Sequence, residues 1–153
     1  MSASARLAEL GLTLPEVVQP VGSYVPALRE GSLVFTSGQL PMRDGSLMAT
    51  GIVGADVDAE TAAECARQAT LNALAAVAQV AGGIDSIERI VKVTGFVASA
   101  PDFGGQPAVM NGGSNLLGEI FGEAGRHARS AVGVASLPLG APVEVELIVA
   151  VRQ

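Results

Sequence analysis

The sequence predicts an α+β domain in which two helices cover one face of a mixed or mainly antiparallel sheet. Three observations lead there. The alanine-rich segment DAETAAECARQATLNALAAVAQVAGG has helical spacing and marked ends. Runs with alternating apolar positions stand on both sides of it. These runs come largely in turn-linked pairs, which favours hairpins over purely parallel crossovers.

Taken in order, residues 3–11 (ASARLAELG) predict a short N-terminal helix closed by Gly11, and Pro15 and Pro20 punctuate an extended connector. Residues 1–19 are thus a helix and connector within one domain spanning 1–153. YVPAL and LVFTSGQL predict a hairpin around Gly31, and 41–57 reads as a loop with a turn at Asp44-Gly45. Asp58 is a good N-cap for the long helix, Glu60 suits its first turn, and Gly82-Gly83 ends it. RIVKVTGFVA, 89–98, alternates as a strand. A second helix fits within 106–122, weakened by Gly112-Gly113, with Asn111 a candidate cap. HARSAVGVASLPLGAPVEVELIVAV then predicts a buried hairpin around its Leu-Pro-Leu-Gly-Ala-Pro turn.

Composition narrows the function. Hydrophobic residues make up 49% of the 153 and charged residues 16%, with a mean hydropathy of +0.45. So little polar coating predicts association with further copies of the chain. No run of about 18 apolar residues occurs, so no membrane-spanning helix is expected. Charges and a proline interrupt the N-terminal segment, which therefore does not read as a signal peptide. The net charge is −6 and no two basic residues are adjacent, which argues against a nucleic-acid partner. Cys65 is alone, so neither a disulfide framework nor a CxxC metal site is available, and a buried thiol in a cytoplasmic protein is expected.

Several residues invite a chemical reading. Arg129 opens an apolar strand, where a guanidinium either pairs with a carboxylate of its own chain or waits for a ligand's. Glu144 and Glu146 share one face of their strand, opposite Val143, Val145, Leu147 and Val149. One of them can pair with Arg129 while the other positions a water, or both can face solvent. Tyr24 can close a small pocket or simply pack, and Ser37-Gly38 can offer polar groups at a strand end or form an ordinary turn. His127, two residues before Arg129, reads best as facing solvent. No GxGxxG, GxxxxGK[ST] or GxSxG motif occurs.

GSYVPALREGSLVFTSGQLP, VKVTGFVAS and HARSAVGVASLPLGAPVEVELIVAV together resemble the Rid/YjgF family of reactive-intermediate enamine and imine deaminases, also called endoribonuclease L-PSP. The resemblance spans roughly residues 20–152, with SGQ-x-P and ARS-x-V…LP…VE-x-E in the family's order. It implies the chorismate-mutase-like α+β fold and a homotrimer with clefts between subunits. It also implies a substrate-carboxylate role for Arg129 and a hydrolytic-water role for Glu144. Tyr24, Ser37, Gly38 and Asn111 match residues lining the cleft, and no cofactor or metal is implied. The family's Gly-Pro-Tyr is Gly-Ser-Tyr here, and Ala131 stands where many members have Cys, leaving only a backbone carbonyl to help hold the water. The N-terminal helix and the enlarged 100–125 region mark a longer subgroup.

The activity so implied is hydrolysis of small 2-imino or enamino acids, such as 2-aminoacrylate, to 2-oxo acids and ammonia. The alternative is a trimer that binds a small carboxylate without turnover. A ribonuclease fits the acidic composition poorly.

Overall fold

A computed structural model describes residues Met1–Gln153. Asp58 opens the longest element, its carboxylate accepting a hydrogen bond from the Thr61 amide at 2.7 Å. In chain order the elements are α1 (Ala3–Glu9), β1 (Ala27–Glu30), β2 (Leu33–Thr36), β3 (Met42–Arg43), β4 (Ser46–Leu47), α2 (Ala59–Ala81), β5 (Ile87–Ala98), α3 (Gln106–Phe121), β6 (Ala128–Val134) and β7 (Val143–Val151). Gly82 ends α2 at φ 83°, the left-handed conformation that glycine adopts without steric penalty.

Five strands form one sheet in the order β1-β2-β7-β5-β6. Every neighbouring pair is antiparallel except β5 and β6, which run parallel and are joined through α3. The sheet is therefore mixed, and the α+β class with two helices on one face agrees with the sequence prediction. Val34, Val93, Val145, Leu147 and Val149 point from the sheet into the core. Ala62, Ala66, Ala69, Ala73 and Ala76 meet them from α2, where small side chains allow a close approach. Burying each larger aliphatic side chain contributes about 1.5–3 kcal/mol. Cys65 is fully buried there, and desolvation pushes its thiol pKa up, as suits an inert core group.

Three sequence expectations need correction. The last two strands are not a hairpin, because β5 lies between them and pairs with both. Alternation specifies which residues share a face; it does not specify which strand is the neighbour. Nor is β6 buried: Ala128, Ser130 and Val132 are exposed along this edge strand. Asn111 does not cap α3, which starts at Gln106 and runs through Gly112-Gly113 unbroken. A Cβ at Gly112 would strike the Ala63 carbonyl and one at Gly113 the Thr70 hydroxyl. Those glycines let α3 lie directly on α2, and tertiary packing offsets their poor helix propensity.

The smaller expectations fare better, with shifted ends. Gly11 follows α1 at φ 71°. Asp44 (φ 53°) and Gly45 (φ 86°) turn the small β3–β4 hairpin within the predicted loop. The first hairpin turns at Gly31, although β1 begins at Ala27 and β2 stops at Thr36.

Candidate active site

Arg129 lies opposite Val93 in the β5–β6 register, and Val93 is core, so both side chains take the helix-covered face. Asn111 and Ser114 reach the same place from α3, where a spacing of three residues keeps them on one side. Arg129 NH1 donates to Asn111 Oδ1 at 2.9 Å and to Ser114 Oγ at 3.1 Å. The three ion pairs of the chain, Arg6–Glu9, Arg67–Glu119 and Arg126–Glu123, leave Arg129 out. The guanidinium is thus half-buried, oriented by neutral acceptors and without a carboxylate of its own chain. Its Nε and NH2 edge makes no hydrogen bond within the chain, and that edge has the fork geometry a carboxylate accepts.

Glu144 stands on the other face of the sheet. It pairs with Phe96 in register, and β7 alternates between buried and half-buried positions along its whole length. The side chain folds over Gly38, where a Cβ would overlap the carboxylate. Burial raises the Glu144 pKa above the ordinary carboxylate value, and the Glu146 charge on the same face raises it further. Such a carboxyl holds a proton more readily than a solvated one and can pass it on.

A bulge places Gly38. Phe35 pairs with Ile148 and Gln39 with Val145, so Thr36, Ser37 and Gly38 face only Glu146 and Leu147. The extra residue displaces a backbone acceptor, and Thr36 Oγ1 takes the Leu147 amide instead, at 2.9 Å. Ser37 uses its hydroxyl on the Val25 carbonyl at 2.6 Å and its amide on the Pro26 carbonyl at 2.9 Å. These bonds tie down the segment carrying Tyr24, which is 58% exposed. Within the chain the ring lies beside Gly22, where a Cβ would come within 3.0 Å of it.

The candidate residues therefore fall into two candidate half-sites. Tyr24, Ser37, Gly38 and Glu144 gather around β2 and β7, while Arg129, Asn111 and Ala131 gather around β6 and α3. In register Glu144 stands level with Val132 through Phe96, three residues beyond Arg129. Two strand spacings across and three residues along separate them by roughly 14 Å between backbones, on opposite faces. One chain does not bring Arg129 and Glu144 to a common reacting centre. Neither does any larger concavity of the single chain. A cavity of about 310 Å³ is lined by Leu12, Arg43, Met48 and Leu71, and one of about 580 Å³ lies beside Pro15–Val18 and Asp44.

Sequence reasoning assigned no site role to Ser114 and placed His127 in solvent. His127 is half-buried, with Nε2 at 2.9 Å from Ser114 Oγ and Nδ1 at 2.6 Å from the Gly125 carbonyl. The one available signal is the two-residue spacing from His127 to Arg129, which puts both on one side of extended backbone, although β6 itself begins at Ala128. No three His, Cys, Asp or Glu side chains converge as metal ligands.

Residues 4–151 match the family described as "YjgF/chorismate_mutase-like, putative endoribonuclease". The chain belongs to this family. It is 33% identical over 142 residues to the 2-iminobutanoate/2-iminopropanoate deaminase of Dermatophagoides farinae, covering 92% of this chain and 95% of that one. The crystal structure of Atu1372 from Agrobacterium tumefaciens, a protein of unknown function, superposes with a TM-score of 0.90 at 46% identity, covering 98% of this chain and 92% of that one. That of TdcF from E. coli with bound serine gives 0.64 at 31% identity, covering 90% and 94%. The fold and the Rid/YjgF membership expected from the sequence both stand.

Proposed function

We propose that the chain hydrolyses small 2-imino acids to 2-oxo acids and ammonia, in clefts formed between copies of itself in a homotrimer. The observation that carries this reading is Arg129: a half-buried guanidinium, oriented by Asn111 and Ser114, that keeps its Nε–NH2 edge for an anion. The name of the mite relative supplies the substrate class, a carbon–nitrogen double bond next to a carboxylate. Serine bound to the E. coli relative is a further small molecule with a carboxylate.

Arg129 grips the substrate carboxylate bidentately, and the low-polarity surroundings strengthen the pair. Glu144, held against Gly38, orients a water towards the imine carbon, with the Ala131 carbonyl as a second acceptor. Its raised pKa suits it to shuttle a proton between that water and the nitrogen. Water adds to the carbon, the tetrahedral carbinolamine collapses, and ammonia leaves. One water is consumed, and no electrons are transferred. Such imines hydrolyse unaided, so positioning supplies the acceleration.

Association of copies accounts for the half-sites. The uncovered sheet face exposes Leu28 (58%), Phe35 (39%) and, on the edge strand β6, Val132 (44%). Placing the β6 edge of one copy against the uncovered face of the next buries these residues. It also sets one copy's Arg129 opposite another's Glu144, Ser37 and Tyr24. The acidic balance and scattered basic residues weigh against RNA as the substrate.

The test generates 2-aminoacrylate or 2-iminobutanoate in situ with a dehydratase and follows 2-oxo acid formation. Wild type should accelerate it, Arg129→Ala should lose about 100-fold or more in kcat/KM, and sedimentation should give a trimer. A folded trimer that leaves the background rate unchanged would reduce the cleft to a carboxylate-binding site.

A further inference from the structure

We propose that Ser114 and His127 are positioning residues that fix which edge of the Arg129 guanidinium meets the substrate. The inference rests on the carboxylate-binding reading of Arg129 given above and deepens it. The relay starts at Gly125. Its carbonyl oxygen can only accept, and His127 Nδ1 lies 2.6 Å away, so Nδ1 carries the ring proton. In the neutral imidazole Nε2 is then an acceptor, and the Ser114 hydroxyl at 2.9 Å donates to it. With its only proton committed, Ser114 Oγ turns a lone pair to Arg129 NH1 at 3.1 Å. Asn111 Oδ1, at 2.9 Å, takes the second NH1 hydrogen.

Each link dictates the next, from a buried backbone carbonyl on the turn after α3 to a guanidinium on an edge strand. The consequence is geometric. Both NH1 hydrogens are occupied, so only the Nε–NH2 edge is left for a ligand, and rotation about the last side-chain bond would break two bonds at once. An arginine on an exposed edge strand ordinarily samples many rotamers, and ordering it on binding costs affinity. Here the ordering precedes the ligand. The neutral donors and acceptors of the relay add no competing carboxylate to the guanidinium.

The experiment uses the full chain and 2-oxobutanoate as the probe. Its Kd is measured by calorimetry for wild type, Ser114→Ala, His127→Phe, the double variant, Ser114→Thr and Arg129→Ala, with kcat and KM for 2-iminobutanoate alongside. Ser114→Ala and His127→Phe should each raise Kd and KM about tenfold, the size expected for one hydrogen bond to a charged group. Turnover should stay within about twofold, because neither residue touches the reacting carbon. The double variant should be little worse than either single one, since the two act in series. Ser114→Thr, which keeps the hydroxyl, should restore most of the affinity. A role limited to holding the fold would instead lower kcat and Tm together, with no return in the threonine variant. If His127→Phe does not fold, Ser114→Ala, which removes one oxygen, decides alone. Wild-type affinity in Ser114→Ala and His127→Phe, beside loss in Arg129→Ala, overturns this inference and leaves the arginine's role intact. Absence of 2-oxobutanoate binding by wild type overturns both.

Discussion

Strands β6 and β7 flank β5 on its two sides, and each carries one charged residue of the candidate site. Their surroundings differ sharply. β7 is central, paired with β2 and β5, and its alternate residues Val143, Val145, Leu147, Val149 and Val151 are core. β6 pairs with β5 alone, and Ala128, Ser130 and Val132 are exposed along it. The central strand can hold Glu144 half-buried because its own core face anchors the backbone. The edge strand has less to anchor it, so Arg129 depends on partners from α3 for its position. Rigidity comes from the sheet on one side of the site and from a helix on the other.

The largest expected effect separates the two strands directly. Val145→Asp buries an unpaired carboxylate in the core and should cost about 4 kcal/mol or more, enough to prevent folding. Val132→Asp on β6 should leave secondary structure intact by circular dichroism while sedimentation reports a monomer without deaminase activity. Equal loss of structure in both would erase the distinction between the strands.

Gly38→Ala probes the β7 side of the site. Its methyl group must displace the Glu144 carboxylate, which is the end of a flexible side chain, so stability should change by less than about 1 kcal/mol. Turnover should fall about tenfold or more, while the Kd for 2-oxobutanoate moves no more than about twofold. A large change in Kd would mean that Gly38 and Arg129 act on the same group of the ligand, against the division of labour proposed here.

The smallest effect concerns pH. The Glu144 pKa is raised on folding, chiefly by desolvation and then by Glu146. The folded chain therefore binds a proton that the unfolded chain has released, and stability falls as pH rises through the folded pKa. Glu144→Gln removes that penalty. Melting curves from about pH 3.5 to pH 8 should show the variant about 1–3 °C more stable near neutrality, with the difference vanishing below the ordinary carboxylate range. A variant less stable than wild type at neutral pH would contradict the assigned cause of the shift.

By itself the sequence determined the local elements and marked two charged residues as candidates. Asp58 and Gly82 mark the ends of α2, and strict alternation assigns the faces of β7, because caps and periodicities are written within a few neighbouring residues. The ARS-x-V and VE-x-E segments identify Arg129 and Glu144 as candidates through family resemblance. Only the tertiary structure decided what surrounds them. Placing β5 between β6 and β7 depends on pairings such as Val93 with Arg129, 36 residues apart, which no local pattern encodes. The hydrogen bonds from Arg129 to Ser114 and Asn111 exist because α3 lies across β6 on the glycines that let it settle against α2. Sequence periodicity fixes the direction in which a side chain leaves its own backbone. What it meets there is set by packing between segments far apart in the chain.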